Sequence, residues 1–183
     1  NRKGATMTKV ILMIAVLLIP ICASSQTEQE TDPWQTIRFL EGTWQGNGDG
    51  MSGHSDVTQK YEFVLGGKFI RMTTKAVFEP QDKNSKGEVH EDLAMFSYDS
   101  GRKMFVLRAF YVEGFVNTYV LDDISEDGKT LTFNTEHVEN GPPGTTARLV
   151  FEQTGDNEIE QSFFVAFPGS ELSCFSKNLL KKL

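Results

Sequence analysis

Two places in the chain combine side chains able to do acid–base or anion chemistry. His90 stands two positions before Asp92 and four before Ala94, so on a strand the three share one face. A histidine beside a carboxylate acts as acid or base where a cavity faces it, and otherwise makes an ordinary structural hydrogen bond. No nucleophile stands near this pair in sequence, so no catalytic residue is assigned. Arg108 lies among the apolar residues of MFVLRAF. Facing a barrel interior, its guanidinium would be a fixed fork for a carboxylate or other anionic head group; the alternatives are that it points outward or pairs internally with Glu62 or Glu91. Aromatic area is plentiful: Trp44, Tyr61, Tyr98, Phe110, Tyr119, Phe133, Phe163 and Phe175 suit the lining of a lipid- or sterol-sized pocket and suit an ordinary core equally. The candidate ligand-binding set is therefore Trp44, Tyr61, His90, Tyr98, Arg108, Phe110 and Phe163.

Other motifs carry less. Gly46, Gly48 and Gly50 alternate through GNGDG, which matches neither a phosphate loop nor a dinucleotide turn and reads as a flexible rim loop. His54 with Asp56, and Asp122, Asp123 and Asp127, bring metal-binding atom types together without an EF-hand or HExxH spacing, so no metal is expected. The acidic triplet reads as the polar tip of a hairpin. Cys174 reads as a small buried hydrophobe.

These residues need elements to position them. Asp32-Pro33-Trp34-Gln35 has the pattern of a capping box with proline at the first helical position, which predicts one short helix of about two turns ended by Gly42. Beyond Thr43 no helical period persists. Short runs rich in Val, Thr, Phe and Tyr recur between Gly, Asp and Asn signals, as strands do. Ten are expected: Thr43 to Asn47, Asp56 to Leu65, Lys68 to Phe78, Glu88 to Tyr98, Lys103 to Val112, Phe115 to Leu121, Thr130 to Glu136, Thr145 to Gln153, Asn157 to Phe167 and Leu172 to Leu180. Most connectors have hairpin length, which favours an antiparallel meander. Gly48 to Ser55, Glu79 to Gly87 and His137 to Gly144 read as long rims. Closure removes exposed sheet edges, so the expected fold is all-β, a ten-stranded antiparallel up-and-down barrel with a short N-terminal helix. A barrel of that width need not be filled by its own side chains.

Ahead of this domain, Met7-Thr8-Lys9 precedes the twelve-residue apolar run Val10 to Ile21, too short to span a bilayer and of signal-peptide form. Residues 1–25 are thus read as upstream residues and a signal peptide, 26–31 as a polar leader, and 32–183 as the barrel domain. Cleavage after Ser25 would leave about 158 residues. Lipidation at Cys22 is the second route and a retained anchor the third, although Ile19-Pro20-Ile21 lacks the small residue expected before a lipidated cysteine. An exported chain, periplasmic, secreted or held at the outer membrane by a lipid, has no transmembrane span once processed. Cleavage removes Arg2, Lys3 and Lys9 and no acid, moving the formal charge from −7 to −10. That balance argues against nucleic acid as a partner.

The segments FLEGTWQGNGDG (Phe39 to Gly50), YEFVLGGKFI (Tyr61 to Ile70), VHEDLAMFSYD (Val89 to Asp99), MFVLRAF and CFSKNLLKKL resemble the calycin-like barrels related to nitrobindin and the lipocalin-like domains of DUF1579 type. The resemblance spans nearly all of the mature chain. It implies a barrel closed at one end by the helix, with Trp44 packed on the floor, and export in bacteria. Nitrobindin-like proteins hold ferric haem through a histidine on a strand near the C-terminus. Here Gln161 to Leu183 contains none, the three histidines being His54, His90 and His137, so haem is not expected and no cofactor is assigned. The leading expectation is an exported protein that binds a small apolar or amphipathic molecule inside the barrel. A structural module with a self-filled barrel and an enzyme using an internal polar cluster are the alternatives, and a homodimer stays open beside a monomer.

Overall fold

The structure, a computed structural model, describes residues 32–183; the signal-peptide and Cys22 expectations lie outside the described residues. Ten strands follow a short helical entry: β1 (Gly42–Gly50), β2 (Gly53–Val64), β3 (Phe69–Phe78), β4 (Glu88–Asp99), β5 (Met104–Phe110), β6 (Val116–Ile124), β7 (Thr130–Glu139), β8 (Thr146–Gly155), β9 (Glu158–Ala166) and β10 (Ser173–Lys182). Each pairs antiparallel with its neighbour in sequence, and β1 pairs with β10, closing the barrel. Closure leaves no free sheet edge, and inward and outward side chains alternate along the strands except where register shifts interrupt the β6–β7, β8–β9 and β9–β10 pairings. Among the described residues no helix is long and apolar enough to cross a membrane.

Three expectations are corrected. The entry is not one two-turn helix but two 3-10 turns, Pro33–Thr36 and Arg38–Leu40, separated by Ile37 at φ −115°. Trp34, Ile37 and Leu40 are all buried in the barrel end, and their spacing of three brings them to one side at the three-residue period of a 3-10 turn rather than at the α-helical 3.6. Gly48 to Ser55 is not a rim loop: β1 and β2 pair as far as Gly50 with Gly53, leaving Met51-Ser52 as a tight turn. Cys174 is exposed rather than buried, because a bulge between Cys174 and Ser176 shifts the register of β10 on β9.

The Asp32 cap is as expected: its carboxylate accepts from Trp34 N–H at 3.0 Å and from the Arg38 guanidinium at 2.9 Å. The ion pair is exposed and weak, so the cap bond carries the effect of its removal. Asp32→Ala is expected to cost about 1 kcal/mol, read as a lowered midpoint in urea unfolding. The turns close one barrel end. Trp34 packs edge-on against Phe63 and Phe105 with centroids 5.4 and 5.2 Å away, and Trp44 Nε1 donates to the Leu40 carbonyl at 2.7 Å.

On β4, β5 and β8 the large inward side chains of the closed end give way to smaller ones toward the open end. Inward residues run Phe96, Ala94, Asp92 on β4, Phe105, Leu107, Ala109 on β5, and Phe151, Leu149, Ala147 on β8. Near the floor, Phe96, Phe133 and Phe151 meet at 5.7 to 5.9 Å, with Tyr61 against Phe96 and Phe151 at 6.4 Å. Such offset and edge-on pairs add about 0.5–1.5 kcal/mol each beyond their burial. The lower half is core, and the taper leaves the upper half hollow.

Candidate functional site

A cavity of about 410 Å³ occupies the open half. Its walls are hollow because its inward positions are small: Gly48 and Gly50 on β1, Ala76 on β3, Ala94 on β4, Ala109 on β5 and Ala147 on β8. The glycines belong to GNGDG, whose alternation is the period of a strand face. Side chains there would collide with β10 and with Ser55 and Val57.

A polar layer separates cavity from core. Gln59 Nε2 donates to Gln161 Oε1, Tyr61 Oη donates to Gln59 Oε1 at 2.7 Å, and Asn178 Nδ2 donates to Gln161 Oε1 at 3.0 Å. Gln59 is fully buried, so these bonds satisfy amide groups that would otherwise be costly to enclose.

One wall carries a second polar group. Asn117 Nδ2 donates to Tyr119 Oη at 2.8 Å, and the Tyr111 and Tyr119 hydroxyls lie 2.7 Å apart. The Asn117 carbonyl oxygen is buried without a partner. Asp92 lines the same cavity, and its carboxylate accepts from Val112 N–H at 3.2 Å. Burial pushes the Asp92 carboxyl above the usual carboxylate range and Glu113 adds to this, against the opposing Val112 N–H and His90. Burial likewise raises both tyrosine hydroxyls, which stay neutral. At the mouth, His90 lies between Glu88 (Nε2 to Oε2, 3.2 Å) and Glu113 (Nδ1 to Oε1, 3.1 Å).

The candidate residues divide accordingly. His90 and Phe163 line the cavity, Phe163 stacking on Tyr111 with centroids 6.2 Å apart. Trp44 and Tyr61 are buried in the closed half, and Tyr98 packs on Phe105 there at 5.2 Å; none of the three lines the cavity. Arg108 and Phe110 are placed differently from expectation, on the outer surface. Their strand is apolar on both faces, and the register that turns Phe105, Leu107 and Ala109 inward turns them out. Arg108 donates to Ser97 Oγ at 3.2 Å, pairing with neither Glu62 nor Glu91. Asn117, Tyr111 and Gln161 were missed as candidates. Gln161 shares its face with Phe163, and an amide inside an apolar period-2 face was the available signal; Tyr111 and Asn117 gave none.

The residues do not fit a haem held as in nitrobindin-like proteins. Where β9 and β10 face the cavity they present Gln161, Phe163, Val165, Phe175 and Asn178, none an iron ligand, and both His90 nitrogens are held by carboxylates at the mouth.

Fold and cavity define the class: a calycin-like, lipocalin-like ten-stranded antiparallel barrel whose interior can enclose a small hydrophobic or amphipathic molecule. Among solved structures, Rv2717c from M. tuberculosis matches with a TM-score of 0.59 at 13% identity, over 82% of this chain and 97% of that one. At that identity the likeness is one of fold. EF1p2_mFAP2b bound to DFHBI matches at TM-score 0.44 and 8% identity, over 83% of this chain and all of that one. A protein with unknown function from the DUF3598 family of Nostoc punctiforme matches at TM-score 0.30 and 6% identity, over 83% of this chain and 99% of that one. No family model matches the chain, and neither does any curated protein.

Proposed function

We propose that the protein is an exported binding protein that holds one small apolar or amphipathic molecule in the open half of its barrel. The observation that carries the reading is the cavity of about 410 Å³, within the volume range typical of small-molecule sites, roughly 300–1,000 Å³. A self-filled barrel would pack its aromatic rings across the interior to the mouth, whereas here inward alanines and glycines on β1, β3, β4, β5 and β8 leave space beside the Tyr111, Phe163 and Phe175 rings. Export rests on the sequence from Met7 to Ser25 alone.

The experiment is titration with a neutral apolar fluorophore, N-phenyl-1-naphthylamine, at pH 7. Saturable binding of one probe per chain is expected. Ala147→Phe, which fills the cavity from β8, is expected to weaken it at least tenfold while a cooperative melt is retained. Absence of saturable binding to the unaltered chain, or equal binding by a folded Ala147→Phe, would count against the cavity as the site.

A further inference from the structure

We infer that the cavity selects a cationic ligand, an amphipathic amine whose ammonium group sits against Asp92 and Asn117 with its apolar part among the aromatic rings. The inference rests on the binding reading above and adds to it the charge of the ligand.

The first support is the distribution of charge. Among the described residues no lysine or arginine lines the cavity, while Asp92 and, at its mouth, Glu113 do. Arg108, the cation that sequence placed as an anchor for anions, is outside. Lys83 bonds the Gly50 carbonyl at 3.2 Å from a separate outer groove. His90 is already engaged by Glu88 and Glu113. A carboxylate ligand entering this space would lose its water beside Asp92 and gain no positive partner. Like charges brought together in a poorly solvated site repel strongly.

The second support is independent of the acids. Asn117 is only 5% exposed, stands on the inward face of β6 and lines the cavity, and its carbonyl oxygen has no hydrogen-bond partner. Buried polar atoms left without partners are rare and costly, and this one is an acceptor that a ligand N–H would satisfy. The groups facing Asp92 from its surroundings are His90 on its own strand, Glu113, and the Tyr111 and Tyr119 hydroxyls. Of the two Asp92 oxygens, Oδ1 takes the Val112 N–H, leaving Oδ2 for a donor. The stacked Tyr111 and Phe163 rings, with Phe175 edge-on to Phe163 at 5.8 Å, offer π-faces that also favour a cation.

The test compares three probes of one chain length, octylammonium, 1-octanol and octanoate, by calorimetric titration of the full chain at pH 7 and low salt. Octylammonium is expected to bind at least tenfold more tightly than octanol, and octanoate least. Asp92→Asn keeps an acceptor for Val112 N–H and removes the charge, so it is expected to collapse the octylammonium-to-octanol ratio toward one. The same variant reports on folding. A carboxyl whose pKa is raised in the folded state loses its stabilising contribution as pH rises through that value, so Asp92→Asn should melt higher than the unaltered chain at pH 7. The gap should close as pH falls into the carboxylate range. Octanol binding as tightly as octylammonium, octanoate binding most tightly, or a ratio that survives Asp92→Asn would each overturn the inference while leaving the cavity reading intact. Failure of all three probes while N-phenyl-1-naphthylamine still binds would overturn the inference alone, and failure of that probe as well would remove both.

Discussion

Replacing Gly46 by valine is expected to cost the barrel about 3 kcal/mol, at the upper end of what overpacking costs in well-packed proteins. A Cβ at Gly46 would lie 2.0 Å from the Leu179 carbonyl oxygen, 3.0 Å from its carbonyl carbon and 3.1 Å from Leu180 Cα. All three atoms are backbone of β10, the strand that closes the barrel on β1 through the pairing of Gly46 with Leu180. Rotating a side chain cannot relieve such a contact; the seam itself has to part. The sign is informative because glycine replacement in a strand ordinarily helps, by roughly 0.4–1 kcal/mol through the unfolded chain. Urea unfolding followed by tryptophan fluorescence reads the result. An unchanged or raised midpoint would mean that the seam opens without cost, and that β1 and β10 are not the tight closure described.

The same glycines show what was legible in the sequence. The strands were readable because period-2 patterning, β-branched residues and short Gly- or Asp-containing connectors agree in the same segments, and each observed strand overlaps its expected one. The β1–β2 hairpin was obscured because GNGDG has the composition of a loop. Its alternation was the better signal, since glycine at every second position marks one face of a strand that must carry no side chain. The helical entry was readable in its Asp32 cap and not in its winding, which the shape of the barrel end decides.

The site was less legible than the fold, for a physical reason. On β4 the period of two by itself puts His90, Asp92 and Ala94 on one shared face, although the polar run His90 to Asp92 and the apolar run Leu93 to Phe96 do not state that this face is the inner one. On β5 both faces are apolar: Val106 is buried on the outer side while Leu107 and Ala109 are buried within. No pattern along that strand alone states which side is the interior, and Arg108 falls on the outside by a phase that only its neighbours fix. The consequence is a reversal of charge. An inward guanidinium would have made an anion site, whereas the register observed leaves acids, amides and phenols facing the cavity.

A second large effect separates the two halves of the barrel. Phe96→Ala is expected to cost about 3–5 kcal/mol, a large part of the roughly 5–15 kcal/mol by which a domain is ordinarily stable. Phe96 is fully buried and its ring meets Phe133 and Phe151 at 5.7 and 5.9 Å, neighbours held in the barrel wall and unable to collapse into the space. At roughly 2–4 °C per kcal/mol for a domain of this size, the melting temperature should fall by about 10 °C. Ligand affinity measured well below that temperature should hardly change. The void would lie beneath the layer formed by Tyr61, Gln59, Gln161 and Asn178, whose mutual hydrogen bonds do not involve Phe96. Cavity-filling Ala147→Phe should do the reverse, weakening binding with little loss of stability. Equal losses of stability and affinity in Phe96→Ala would instead show that the aromatic floor holds the polar layer in place, and that packing below sets the shape of the site above.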